Sequence, residues 1–269
     1  MDIKKVYAVY FSPTGTTEKT AIAIAEGAVI PYEKFNLTTR EARRNFKHSF
    51  KKNELAIIGL PVYGGRLPKN LDDFFSGLHG NATPAIALVL YGNREYEDAL
   101  IELKLILEER RFKVIAGAAF IGEHTFSKKI ATGRPDAGDL AIANDFGKTI
   151  VKNINKMMQS TLHVKGNYPF KVEGFDPAKP RYLTASANII TMDNCTSCGL
   201  CAEDCPWGAI DTNDFKTIDS LKCFRCFQCI KNCPVNAKAV KDEQFFNLLT
   251  EFEMRLNARR CEPELFPAE

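Results

Sequence analysis

Residues 6–17 read VYAVYFSPTGTT, a strand, a turn and the opening of a helix in immediate succession. Val6 to Phe11 is almost unbroken in apolar side chains, which suits a parallel strand covered on both faces, not the alternation of a half-exposed one. Ser12, Pro13, Thr14, Gly15, Thr16 and Thr17 follow as a hydroxyl-rich turn, with a helical pattern from Glu18 to Ala28 directly behind. A helix N-terminus leaves amide N–H groups unpaired. Those amides and the hydroxyls together can cradle a phosphate, and Gly15 lets the backbone come close. No basic residue stands in the turn, which argues against a Walker-type nucleotide loop. A turn that merely caps its helix is the plainer alternative.

The same pattern recurs downstream. Leu55 to Leu60, Ala85 to Leu90 and Val114 to Ile121 are further continuous apolar runs, and a shorter run near Tyr32 to Phe35 supplies a fifth strand. Lys69 to Leu78, Tyr96 to Arg111 and Gly138 to Met158 carry helical periodicity between and after them. Alternation of this kind predicts an α/β, doubly wound, five-stranded parallel sheet over residues 1–160. Residues 161–186 hold Gly166, Pro169, Gly174, Pro177 and Pro180 with little periodicity, and read as a semi-rigid linker. A smaller α+β module fills 187–241. In the tail, 242–269, Phe245, Leu248, Leu249, Phe252 and Leu256 recur at helical spacing, predicting an amphipathic helix packed on one of the domains.

All nine cysteines lie after residue 194. Cys195, Cys198, Cys201 and Cys205, then Pro206, spell C-x2-C-x2-C-x3-C-P, and Cys223, Cys226, Cys229 and Cys233, then Pro234, spell it again. This is the run of bacterial ferredoxins with two [4Fe-4S] clusters, in which the fourth cysteine of each run serves the other cluster. The expected sets are therefore Cys195, Cys198, Cys201 with Cys233, and Cys223, Cys226, Cys229 with Cys205. Paired structural zinc sites also use four thiolates, but commonly as C-x2-C knuckles with longer spacers. Gly199 suits a tight turn close to the first cluster. Cys261 has no partner in the pattern and reads as a bystander.

Two more loops belong at the carboxyl ends of strands: Pro61, Val62, Tyr63, Gly64, Gly65 and Arg66 after the third, and Tyr91, Gly92, Asn93 and Arg94 after the fourth. The 12–17 turn matches T/S-x-T-G-x-T and resembles the phosphate loop of flavodoxins. That resemblance implies FMN, with residues 61–65 and 91–94 flanking its ring. Tyr63 or Tyr91 would lie near a ring face, and Arg94 would offer a cation to an anionic reduced flavin. Arg66 reads as a surface residue. Gly122 to Ser127, with His124, reaches the same end of the sheet. The whole chain resembles the flavodoxin-ferredoxin fusion proteins of anaerobic microbes, which implies FMN, two [4Fe-4S] clusters and a role in electron transfer.

A net charge of +3 from 36 basic and 33 acidic residues gives no case for nucleic acid or an anionic membrane. No apolar stretch nears ~18 residues, and no secretory leader is visible, so the expected location is the cytoplasm. Arg40, Arg43, Arg44, Lys47, Lys51 and Lys52 make a basic segment, either a solvated face or a docking patch for an acidic redox partner. Three functions fit: electron transfer among soluble redox partner proteins, FMN-dependent reduction of a small acceptor such as a quinone, nitro compound or disulfide, and redox sensing. No second nucleotide fingerprint is present, which favours the first. Whether FMN and clusters meet within one chain or across a homodimer is left open.

Overall fold

The computed structural model describes residues 1–269. The N-terminal part runs β1 (Lys5–Tyr10), α1 (Thr16–Gly27), β2 (Tyr32–Asn36), α2 (Arg40–Asn45), β3 (His48–Ser49), β4 (Glu54–Pro61), α3 (Asp72–Ser76), β5 (Leu78–His79), β6 (Thr83–Tyr91), α4 (Ala99–Glu109), β7 (Phe112–Ile121) and α5 (Ala137–Met157). Then come α6 (Leu183–Ser186), β8 (Ile189–Thr191), α7 (Leu200–Glu203), α8 (Gln228–Lys231), β9 (Lys238–Val240), α9 (Glu243–Asn257) and β10 (Glu264–Pro267).

The main sheet has the order β10-β7-β6-β4-β1-β2, and its five N-terminal strands are all parallel. They are the five predicted runs. Their order, with the first strand between the second and third, is that of flavodoxin-like doubly wound sheets, whose ligands sit beyond the carboxyl ends at the β1/β4 switch point. Helices α1 and α5 cross closely because glycines meet at the crossing. A Cβ on Gly147 would fall 2.0 Å from Ile24 O, and one on Gly27 would fall 1.8 Å from Asn144 O.

The sequence pattern did not announce everything. The helix expected over 69–78 is only α3, because Leu78 and His79 pair instead with His48 and Ser49 in a small parallel ladder. The tail is helical only to Asn257; its end becomes β10, antiparallel to β7, which covers an otherwise open sheet edge.

The linker region is pinned by one buried carboxylate. Asp98 accepts hydrogen bonds from the Asn167 amide (2.8 Å) and side chain (2.8 Å) and from Lys171 N–H (2.7 Å). Burial would raise its pKa, but these donors hold the carboxyl below its ordinary value. The main core, mostly residues of the α/β domain, also includes Trp207 and Phe224 of the cysteine-rich module. A smaller core joins Leu183, Ala187, Phe227, Val240, Phe245 and Leu249, so the predicted apolar stripe of α9 packs on that module.

Candidate functional site: two cysteine-lined cavities at the carboxyl end of the sheet

The 12–17 turn sits at the carboxyl end of β1. Gly15 caps α1 with φ 79, a left-handed conformation that strains most other residues. Nothing lies within 4 Å of the place its Cβ would take. The Ser12 N–H donates to Thr38 Oγ1 (2.9 Å), and Ser12 Oγ accepts from Glu18 N–H (3.0 Å). The Ser12 hydroxyl oxygen thus serves α1 as a cap. Thr17 Oγ1 is buried with no partner inside the protein. An orphaned hydroxyl beside a side-chain-free glycine fits a phosphate-bearing ligand better than a bare capping turn.

Tyr63 and Arg66 bridge a tight turn in which Gly64 (φ 64) and Gly65 (φ 83) are both left-handed. Both glycines are required, since a Cβ on Gly65 would strike Glu97 Oε2 at 1.6 Å and one on Gly64 would fall 2.9 Å from Phe175 N. Arg66 is not the surface residue expected. It makes a two-pronged ion pair with Glu102 (2.7 and 2.8 Å), donates to Val172 O (2.9 Å) and stacks on Phe170 at 3.7 Å. It fastens the linker to this loop.

In the 91–94 loop, Tyr91 and Asn93 are buried, and Asn93 holds the tail. Its Nδ2 donates to Leu256 O (3.0 Å) and Arg259 O (2.9 Å), while its Oδ1 accepts from Cys261 N–H (3.0 Å). Cys261 therefore belongs to this anchor. Arg94 pairs through both guanidinium nitrogens with Glu97 (2.9 and 3.0 Å), so it is not a free cation. His124 packs on Gly92, where a Cβ would fall 2.4 Å from its ring. Burial, with help from Lys231 and Arg94, lowers its pKa to about 4, so the imidazole is neutral.

The two cysteine runs fold as a repeat. Ser197 (φ 53) and Gly199 (φ 81) in the first are matched by Arg225 (φ 52) and Phe227 (φ 59) in the second, and Gly208 (φ 59) by Asn236 (φ 52). After each fourth cysteine an amide points back to sulfur: Ala209 N–H to Cys205 Sγ (3.3 Å) and Ala237 N–H to Cys233 Sγ (3.1 Å). Such left-handed turns and inward amides are the backbone a cubane needs around it.

One cavity is lined by Cys195, Cys198, Cys201 and Cys233. The other is lined by Cys205, Cys223, Cys226 and Cys229, with Cys201 on the wall between the two. The fourth cysteine of each run has crossed over, as the motif requires. Four thiolates line each cavity, and the C-x2-C-x2-C run that supplies three of them is the ferredoxin pattern, not the paired knuckles of structural zinc. These are the residues that would hold the clusters.

The module lies across the carboxyl end of the sheet. Arg43, read above as part of a solvated face or a docking patch, is neither, being 2% exposed. It pairs with Asp73 (2.8 Å) and donates to Thr38 O (2.8 Å) and to Pro206 O (2.6 Å), between Cys205 and Trp207. On the far side, Thr125 Oγ1 donates to Cys226 O (2.7 Å). Between these ties, Trp207 stacks on Phe224 at 4.1 Å and 8°, and meets Phe11 at 5.2 Å and Tyr63 at 6.1 Å. Burial and the adjacent Cys226 and Cys223 push the Tyr63 hydroxyl well above its ordinary pKa.

Residues 194–237 match the family model of the 4Fe-4S dicluster domain. No curated protein matches the chain. Among solved structures it is similar to a flavodoxin from the domain Archaea, with 15% identity, 56% of this chain and 99% of the other covered, and TM-score 0.38. It is also similar to rubredoxin oxygen:oxidoreductase from the anaerobe Desulfovibrio gigas (14% identity, 58% and 37% covered, TM-score 0.40) and to the flavodiiron protein from Giardia intestinalis (15% identity, 59% and 38% covered, TM-score 0.37). Strand order and crossovers, not these similarities, fix the fold. The chain joins a flavodoxin-like domain to a 4Fe-4S dicluster domain. The dicluster match and the two crossed cysteine sets fit two [4Fe-4S] clusters. No helix is long and apolar enough to cross a membrane.

Proposed function

We propose that this chain exchanges electrons with soluble redox partner proteins through its clusters and holds them, singly or in pairs, at FMN. Clusters take up one electron each and a flavin one or two, so the pair of cofactor types joins the two kinds of chemistry. The cubanes belong to Cys195, Cys198, Cys201 and Cys233, and to Cys205, Cys223, Cys226 and Cys229. The FMN phosphate belongs to residues 12–17 and the ring to the loops 61–65 and 91–94. This chain's own residues supply neutral donors to the phosphate and hold Arg94 and Glu97 as a closed pair.

The observation that carries this reading is the placement of the second cysteine-lined cavity against Tyr63, through Trp207 and Phe224. That placement favours electron transfer over reduction of a small acceptor, because Trp207 and Phe224 of the module occupy the approach to the ring beside Tyr63 that such an acceptor would need.

Anaerobic purification with iron, sulfide and flavin analysis tests it. About eight irons, eight sulfides and one FMN per chain are expected from two cubanes and one phosphate loop. Gly15→Asp places a carboxylate in the cradle and forces a Cβ into a left-handed turn, so it should strip FMN while iron stays full. Zinc in place of iron, or full FMN in that variant, refutes the assignment.

A further inference from the structure

We infer that the flavin cleft is a composite site: Trp207, delivered by the cluster module and backed by Phe224, is a binding residue for the flavin ring. This rests on the function proposed above and goes beyond it, since neither aromatic belongs to the flavodoxin-like domain or to its loops.

Three observations carry it. Trp207 is 8% exposed although it belongs to a short loop of a small module, because its indole is packed into the core of the other domain against Phe11. Phe11 immediately precedes the phosphate turn, and Tyr63 opens the loop after β4, so Trp207 stands over the β1/β4 switch point, where a doubly wound sheet receives its ligand. Moreover, the indole Nε1–H is buried and has no acceptor anywhere in the protein. A buried donor without an acceptor is rare, and a heteroaromatic ring carrying carbonyl and imine acceptors would satisfy it. Phe224, nearly parallel to the indole, fixes the plane in which it meets such a ring.

The competing use of that N–H is a cluster sulfide, because Trp207 also lines the cavity of Cys205, Cys223, Cys226 and Cys229. The two uses give different results. The full chain is purified anaerobically as wild type, Trp207→Phe and Trp207→Ala, and FMN dissociation constants, iron content and cluster midpoint potentials are measured on each. A ring-binding Trp207 predicts FMN affinity weakened about tenfold or more in Trp207→Ala, with the loss partly recovered in Trp207→Phe, which keeps the flat surface but not the donor. Iron should be full in Trp207→Phe, the variant that preserves packing. Wild-type FMN affinity in an iron-replete Trp207→Phe and Trp207→Ala overturns the inference. So does a shifted cluster potential with unchanged FMN affinity, which would give the N–H to sulfide. A wild-type chain that holds no FMN at all sinks the function proposed above instead.

Discussion

Arg43 shows how much one side chain can do at the junction of two domains. Its guanidinium is buried, paired with Asp73, and shared between a carbonyl of its own domain and that of Pro206. Arg43→Met leaves those acceptors unmet, and because Asp73 is partly exposed to water the loss should cost about 1–3 kcal/mol, seen as an earlier urea midpoint. Arg43→Lys should recover only part, since an ammonium lacks the planar fork. His124 gives a pH signature. Its folded pKa of about 4 lies below the ordinary 6.5, so the unfolded chain takes up the proton first. The stabilising contribution is whole above about 6.5 and is lost as pH falls toward about 4. Urea midpoints measured across that window should therefore fall less steeply for His124→Gln than for wild type. The two cysteine runs and the hydroxyl-rich turn before α1 were legible because each is a dense local pattern. Arg43, Arg66, Trp207 and Phe224 were not, because their partners lie far along the chain and a cation in a basic stretch looks solvated until its acceptors are seen.

Among elements, the long apolar runs were readable because burial on both faces leaves little room for polar residues. The ends were less so. Strand β10 has four residues, finishes in proline and shows no alternation to detect, yet it closes the β7 edge and buries Ala268. Deleting residues 263–269 should cost about 2 kcal/mol of apolar and backbone contact, roughly 4–8 °C in Tm. It should also promote self-association through the bared edge, visible by light scattering. The second cysteine run hides another feature. Gly199 marked its turn openly, but the matching position is Phe227, held in a left-handed conformation by packing on Phe126 at 4.7 Å and on Phe245 at 6.0 Å. Phe227→Gly relieves that strain but empties an aromatic slot, so cluster content should hold while the module loosens from α9, read as faster amide exchange there.

At the scale of the whole molecule, the two domains are tied at opposite margins of one sheet, at Arg43 and at Thr125, and again through the tail at Asn93. The eight cluster thiols belong to a module with only a small core of its own, so its shape depends on metal. Removing iron oxidatively in the presence of a chelator should open residues 187–241 to protease and weaken FMN binding by about tenfold, a change of ~1.4 kcal/mol. Flavin titrations on the stripped protein check it.

A sheet end roofed by a part that stiffens only around iron and sulfide also imposes an order of assembly. On the function proposed above, FMN would pass freely while the roof is soft and be shut in once the inorganic cores are installed. Cells starved of iron would then make a chain that trades its flavin with the surrounding pool, and iron-replete cells one that keeps it.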